Sequence, residues 1–395
     1  MIARDAVQPL NLEKKWAGRH PVDDYLSKIA GRLGLATEDL FKSKREVGYS
    51  LETNVRPIFA SDHREGGDIF KAAELNFNTH TVDSMRAALK QSLRALELNP
   101  YDLPEAHVTA AYCYFNLSIA AYSAELPAKV LPEARRHAKE ALKIDPKSSR
   151  ALGVLGTISL IYDYDWEGAK TQLELALEWN KKDAATLLSY AYFLAGRVRL
   201  HEAVEAVEKA VRIAPTDRTI HACTGWFRLL AGDVRGAIEQ AEKTTFLYQD
   251  FPDGYVVLGW AYEAAERYAE ARKQFETSLE IDYSPAAHGS LGHLLAKLGD
   301  RRRGLATLKE LDQLYKRGSI SYVPSYFRAL VFAGLNEVEE CLDALEHACE
   351  QHCDWLILLA VERRWDPVRQ SARFKQLAQR IGVTPPPDLT LGAQK

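Results

Sequence analysis

Four alanines, Ala169, Ala203, Ala237 and Ala271, recur at one constant interval along the chain. Leu173, Val207, Ala241 and Phe275 keep the same interval, as do Ala176, Ala210, Thr244 and Ser278. A fixed step of about 34 residues means one supersecondary unit per repeat, each burying its apolar face only against the next unit. Within a unit the apolar spacing is helical: Leu258 and Tyr262 share one face, and Ala271 and Phe275 share another. Gly259 and Ala271 are small where two such helices must cross, and Glu266, Arg267 and Tyr268 supply the turn between them.

In the stretch Pro252–Asp282 the motif residues are Leu258, Gly259, Tyr262, Ala271, Phe275 and Ser278. On them the chain resembles the tetratricopeptide-repeat family. The resemblance implies an all-α fold: a right-handed superhelical solenoid of eight helical hairpins, with a small N-terminal helical segment. The repeat from Arg218 keeps Gly225 and Ala237 but has Arg228 where Tyr262 stands. Earlier second helices show Ala88 and Ala95, then Ala134, Ala138 and Ala141. Pro100, Pro146 and Pro215 follow the small positions Ala95, Ala141 and Ala210 at one common offset and mark where those helices end, because proline cannot continue them. The third hairpin turns at residues 162–169, and a longer first helix is expected over Pro104–Ala124, with Glu125–Leu131 stretching its turn. After Asp282 the register slips by one: Gly292 falls a single position short of a full step beyond Gly259, and Gly304 stands at the small position.

The expected domains are residues 1–65, a small helical segment with a linker at Ala60–Gly67; 66–318, the repeat array; 319–382, a capping hairpin and helices; and 383–395, a disordered tail. In Arg19–Lys42, residues Pro21, Leu26, Lys28, Ile29, Ala30, Leu33, Gly34, Glu38, Asp39, Leu40 and Phe41 resemble the last helices of Cro/repressor-like helix-turn-helix domains. Too little chain precedes them for the DNA-reading helix of that family. Val47–Pro57 resembles instead the β-hairpin wing of winged-helix domains. At the other end, Asp366, Pro367, Arg373, Phe374, Leu377, Arg380, Ile381 and Gly382 resemble a repeat module found in bacterial multidomain transcriptional regulators, adenylate cyclases and kinases.

The net charge of -3 carries no basic excess of the kind nucleic-acid binding needs. No apolar run approaches the ~20 residues of a membrane helix, and Trp355–Val361 is far too short. Five cysteines, an odd number scattered through helical pattern, point to reduced thiols and a cytoplasmic location.

Repeats of this family hold peptides on the concave surface lined by first helices. The inward positions are Tyr192, Trp226 and Trp260, with His293 after them and Ile158 before. Leu188, Ala222 and Val256 flank them on one side, Ala195, Leu229 and Glu263 on the other. The expected partner-binding residues are therefore Tyr192, Trp226, Trp260, His293, Leu188, Val256, Leu229 and Glu263. The alternative is that the rings pack as ordinary core. The lysine and asparagine set that clamps C-terminal carboxylates in related arrays is missing, so chaperone-tail recognition is not expected.

No phosphate-binding loop, zinc-protease, serine-hydrolase or dinucleotide motif occurs, and no catalytic, cofactor or metal residue is expected. His347, Cys349, His352 and Cys353 cluster near Cys341, yet ligands from one helical turn crowd each other, and Cys341 and Cys349 fit core positions beside Leu345 and Ala348. Two functions follow: an interaction scaffold holding a peptide or partner helix, or a regulator whose array senses a partner and controls DNA binding.

Overall fold

Short polar side chains and prolines set where the helices begin. Asp165, Asp183, Asp217, Asp233 and Asp300 each accept a backbone N–H in the first turn of the helix that follows. Pro104, Pro127, Pro252 and Pro285 occupy first-turn positions where a missing N–H costs nothing. In a computed structural model, described over residues 64–77, 81–99, 103–318 and 320–383, these signals delimit 17 α-helices and no strand among the described residues.

Sixteen of them pair as eight hairpins. These are α1 (Arg64–Phe77) with α2 (Val82–Leu98), α3 (Pro104–Ser118) with α4 (Pro127–Ile144), α5 (Ser149–Ile161) with α6 (Trp166–Trp179), and α7 (Ala184–Gly196) with α8 (Leu200–Ile213). Then come α9 (Arg218–Leu230) with α10 (Val234–Leu247), α11 (Pro252–Ala264) with α12 (Tyr268–Ile281), α13 (Pro285–Lys297) with α14 (Arg301–Lys316), and α15 (Ser325–Gly334) with α16 (Val338–Glu350). Helix α17 (Ala372–Ile381) ends the described chain apart from Gly382 and Val383.

The repeat is written in the turns as well as in the helices. Tyr164, Val198, Gly232 and Glu266 all have positive φ, between 54° and 86°, and recur at the same interval as the alanines. The left-handed step reverses the chain between paired helices, and of these four only Gly232 adopts it without steric penalty. The helix crossings need their small residues for a different reason. A Cβ on Gly259 would lie 2.3 Å from Cε1 of the buried Phe275. In the slipped repeat Gly292 meets Thr307 of the paired helix in the same way, a Cβ there falling 2.2 Å from its Oγ1.

The structure corrects several boundaries. Helix α4 already runs from Pro127, inside the turn expected over Glu125–Leu131, and α6 from Trp166, inside the turn expected over 162–169. Helix α1 starts at Arg64, inside the stretch expected as a linker, with Gly66 and Gly67 buried on it; a Cβ on Gly66 would strike the Asn99 side chain. Helix α3 stops at Ser118 instead of reaching Ala124, because Ile119 turns extended at ψ 143°. Residues 120–124 are used to close the array on itself. Ser321 N donates to the Ser123 carbonyl (2.8 Å) and its hydroxyl to the Ala124 carbonyl (2.5 Å), joining the second hairpin to the loop before the eighth. The helix-turn-helix and wing resemblances and residues 384–395 lie outside the described residues.

Candidate ligand-binding groove

The closed array encloses its own C-terminal strap. After α16 the chain runs from Cys353 through a 3-10 turn at Asp354–Leu358 and a second at Arg363–Trp365 before α17. Trp355 to Val361 is an unbroken apolar run with no polar face, and every residue in it is buried. Such a run has no solvent side to offer, so it lies inside the superhelix. Irregular backbone in an interior must find hydrogen-bond partners. Arg369 provides them, its guanidinium donating to the carbonyls of Leu359 (3.1 Å), Ala360 (2.8 Å) and Glu362 (2.7 Å).

Strap and inward helices meet through aromatic rings. Trp226 and Trp260 are 5.4 Å apart between centroids, and Trp355 stands 5.0 Å from Trp226 and 5.6 Å from Trp260. Tyr326 and Phe327 close on its other side at 5.5 and 5.0 Å. Gly196 lets the strap come close: a Cβ there would be 2.8 Å from the Ile357 carbonyl oxygen. The far end is fastened by Trp166, whose Nε1–H donates to the Ile381 carbonyl (2.7 Å). Arg373 on α17 bridges to Glu339, Asp343 and Glu346 of α16.

The structure places the eight residues expected on the concave surface around two chambers, which the strap divides. The first, about 310 Å³, is bounded by Leu188, Tyr192, Trp226, Val256 and Trp260 on the array side and by Asp354, Trp355 and Ile357 of the strap. The second, about 600 Å³, is bounded by Leu229, Glu263 and His293 with Arg363, Arg364 and Asp366 of the strap, and shares Trp226 and Trp260. Trp226, Val256, Trp260, Glu263 and His293 are buried, while Leu188, Tyr192 and Leu229 keep part of their surface. Trp226 and Trp260 thus pack on each other and on Trp355 of the strap, which sequence reasoning missed, while Tyr192 packs on Trp226 and Phe227 of the next repeat. The strap's signal was available in the apolar run Trp355–Val361, too short for a membrane and too uniform for a surface helix.

The two chambers differ in charge. In the second, Glu263 accepts from Lys297 (3.3 Å) and lies 3.3 Å from His293 Nε2. Burial alone would raise its carboxyl, but His293, Arg364 and Lys297 outweigh burial and hold it down at about 2. Arg364 also pairs with Glu362 (2.6 Å) and stacks 4.7 Å over the Trp260 ring. In the first chamber burial pushes the carboxyls of Asp253 and Asp354 up to about 6.

The clustered cysteines and histidines have other partners. His347 contacts the Ser325 hydroxyl (2.8 Å), His352 the Tyr162 carbonyl (3.0 Å), and Cys349 the Tyr164 hydroxyl (4.0 Å). Burial raises the thiols of Cys349 and Cys353. Among the described residues no three His, Cys, Asp or Glu side chains are placed to hold a metal, and no helix is long and apolar enough to cross a membrane.

Residues 252–285, the hairpin α11–α12 with its flanks, match the family model of the tetratricopeptide repeat. The chain carries a tetratricopeptide repeat. No curated protein matches the sequence. Among solved structures, the chain is similar to pilF of Pseudomonas aeruginosa at 19% identity, covering 54% of this chain and 92% of that one with a TM-score of 0.41. It is similar to the APC/C hetero-tetramer Cut9–Hcn1 at 15% identity, covering 75% and 52% with a TM-score of 0.47. YrrB, a TPR protein with an unusual peptide-binding site, is 18% identical over 48% of this chain and 92% of its own, with a TM-score of 0.33.

Proposed function

We propose that the protein is an interaction scaffold that holds a peptide or partner helix on the concave face of its repeat array, in the larger chamber beside the strap. The observation that carries this reading is the strap itself. An apolar, tryptophan-bearing segment already occupies this face, so its surface is complementary to polypeptide. The larger chamber adds what a second segment requires: apolar surface from Leu229 and Val234, and both signs of charge from Glu263, Lys297 and Arg363. Leu229, Val234, Lys297 and Arg363 keep accessible surface, and Leu229 and Arg363 supply one apolar and one charged anchor.

The test is affinity capture from native lysate with wild type, Leu229→Glu/Arg363→Glu, and Lys209→Glu as a control on α8, identifying protein and nucleic acid alike. A protein retained by wild type and control but lost by the double variant, with helicity and Tm unchanged, supports the groove. Identical capture by all three sinks it. DNA recovered equally by all three moves the function to a regulator acting through residues 1–57.

A further inference from the structure

We propose that the smaller chamber is a binding site for a small hydrophobic organic cation, an aromatic ammonium compound whose ring lies among the chamber's aromatic side chains and whose ammonium meets Asp253. This site is separate from the partner-binding chamber and stands whether or not that reading holds.

The chamber's size comes first. A space of about 310 Å³ lies at the lower end of cavities that take drug-sized ligands, and is far beyond what a single water fills. Its walls are rings: Phe115, Tyr122, Tyr192 and Phe251 join Trp226, Trp260 and Trp355. Ring faces carry negative potential and attract cations, and ammonium groups are recognised in this way.

The ionisable groups on the wall favour the same sign. Asp217, Asp253, Asp354 and Arg150 line the chamber. Arg150 is already paired with Glu105 (2.8 Å) and lies over the Tyr112 ring. Asp217 is occupied as the cap of α9, accepting from Thr219 N and Ile220 N. Asp354 accepts from Ala120 N at 3.0 Å. Asp253 differs from these three. It makes no hydrogen bond among the described residues, and Arg218 is its compensating charge. Its side chain keeps part of its surface because it faces the chamber. It sits in the first turn of α11, where the helix dipole offsets part of its charge. Enough remains uncompensated that burial raises its carboxyl to about 6. A carboxylate without a hydrogen-bond donor in an aromatic cavity is completed by a cation that also fills the cavity. The strap contributes Asp354 and Trp355 to the same wall, so a bound ligand bridges array and strap.

Isothermal titration of the full chain at pH 7.5 with tryptamine, 3-ethylindole and indole-3-propionate tests this. These three probes share a ring system and differ in charge. Tryptamine is expected to bind at least tenfold more tightly than the neutral compound, and the anion more weakly still. Asp253→Asn is expected to remove the tenfold preference while leaving 3-ethylindole binding unchanged. Leu188→Trp, which fills the chamber, is expected to abolish binding of both compounds with the fold retained by circular dichroism. Equal affinity for all three probes, tryptamine binding untouched by Asp253→Asn, or no tryptamine binding up to millimolar concentration would each overturn the proposal.

Discussion

The ring of Trp355 lies 5.0 Å from that of Trp226, although one belongs to the C-terminal strap and the other to the inward face of α9. This contact turns an open concave face into a filled one, and it makes the last part of the chain a component of the array's core. Trp355→Ala should therefore destabilise the whole array by about 3–5 kcal/mol, the range for removing a large buried ring. Denaturant unfolding followed by tryptophan fluorescence and by circular dichroism should give coincident, shifted midpoints. If only the fluorescence transition moves, strap and array are separate folding units.

Arg369 satisfies three strap carbonyls at once. Arg369→Met keeps much of the stem's packing but leaves the Leu359 and Ala360 oxygens without a donor and that of Glu362 with only the Trp365 N–H at 3.4 Å, at a cost of about 2–4 kcal/mol. Urea unfolding measures the loss, and amide exchange in residues 356–362 should rise more than in α11. An unchanged midpoint would mean water replaces the guanidinium without penalty.

Val198 holds a left-handed φ of 62° at the turn between α7 and α8, a conformation a β-branched residue reaches only under strain. The equivalent turn position one repeat on is Gly232. Val198→Gly should thus stabilise the protein, by about 0.5–1 kcal/mol after the added entropy of the unfolded chain is subtracted. A lower Tm for the variant would contradict this.

Burial raises Asp253 and Asp354 from 3.8 to about 6. A carboxyl whose folded pKa is raised favours the folded state fully below its unfolded pKa, and that contribution is lost as pH climbs through the folded value. Stability should therefore fall between about pH 4 and pH 6.5 by on the order of 2 kcal/mol per group. Asp354→Asn should flatten its share of the slope, measured by urea unfolding of variant and wild type at matched pH. Parallel profiles would remove Asp354 as the cause.

Glu263 has the opposite sign. Its folded pKa is depressed to about 2, so its contribution is present above about 4.5 and disappears as pH falls toward 2. Glu263→Gln should cost about 2–4 kcal/mol at pH 7, since it leaves His293 and Lys297 without their carboxylate and removes a negative charge facing Arg364. The difference between variant and wild type should narrow at about pH 2.5, and a gap independent of pH would assign the loss to packing.

Much of the array was legible in the sequence because its contacts are local. Gly259 against Phe275 and the evenly spaced alanines express the packing of one helix on its neighbour, which sequence distance records directly. The same regularity grouped Tyr192, Trp226 and Trp260 on one face of successive first helices. The Asp366–Gly382 motif came instead from a resemblance, and its side chains turn out to tie α17 to α16 through Arg373, while the Ile381 carbonyl receives Trp166.

What the sequence alone determined is the helical hairpin, its period and the face each helix turns inward, all set by spacings of a few residues. Only the tertiary structure decided what that face meets. Trp355 and Trp226, Trp166 and Ile381, Ser321 and Ser123 are far apart along the chain, and they come together because the repeats curve until the array closes on itself. Curvature accumulates from small rotations at each interface and leaves no residue-by-residue signal, so neither the filled groove nor its two chambers can be read from periodicity.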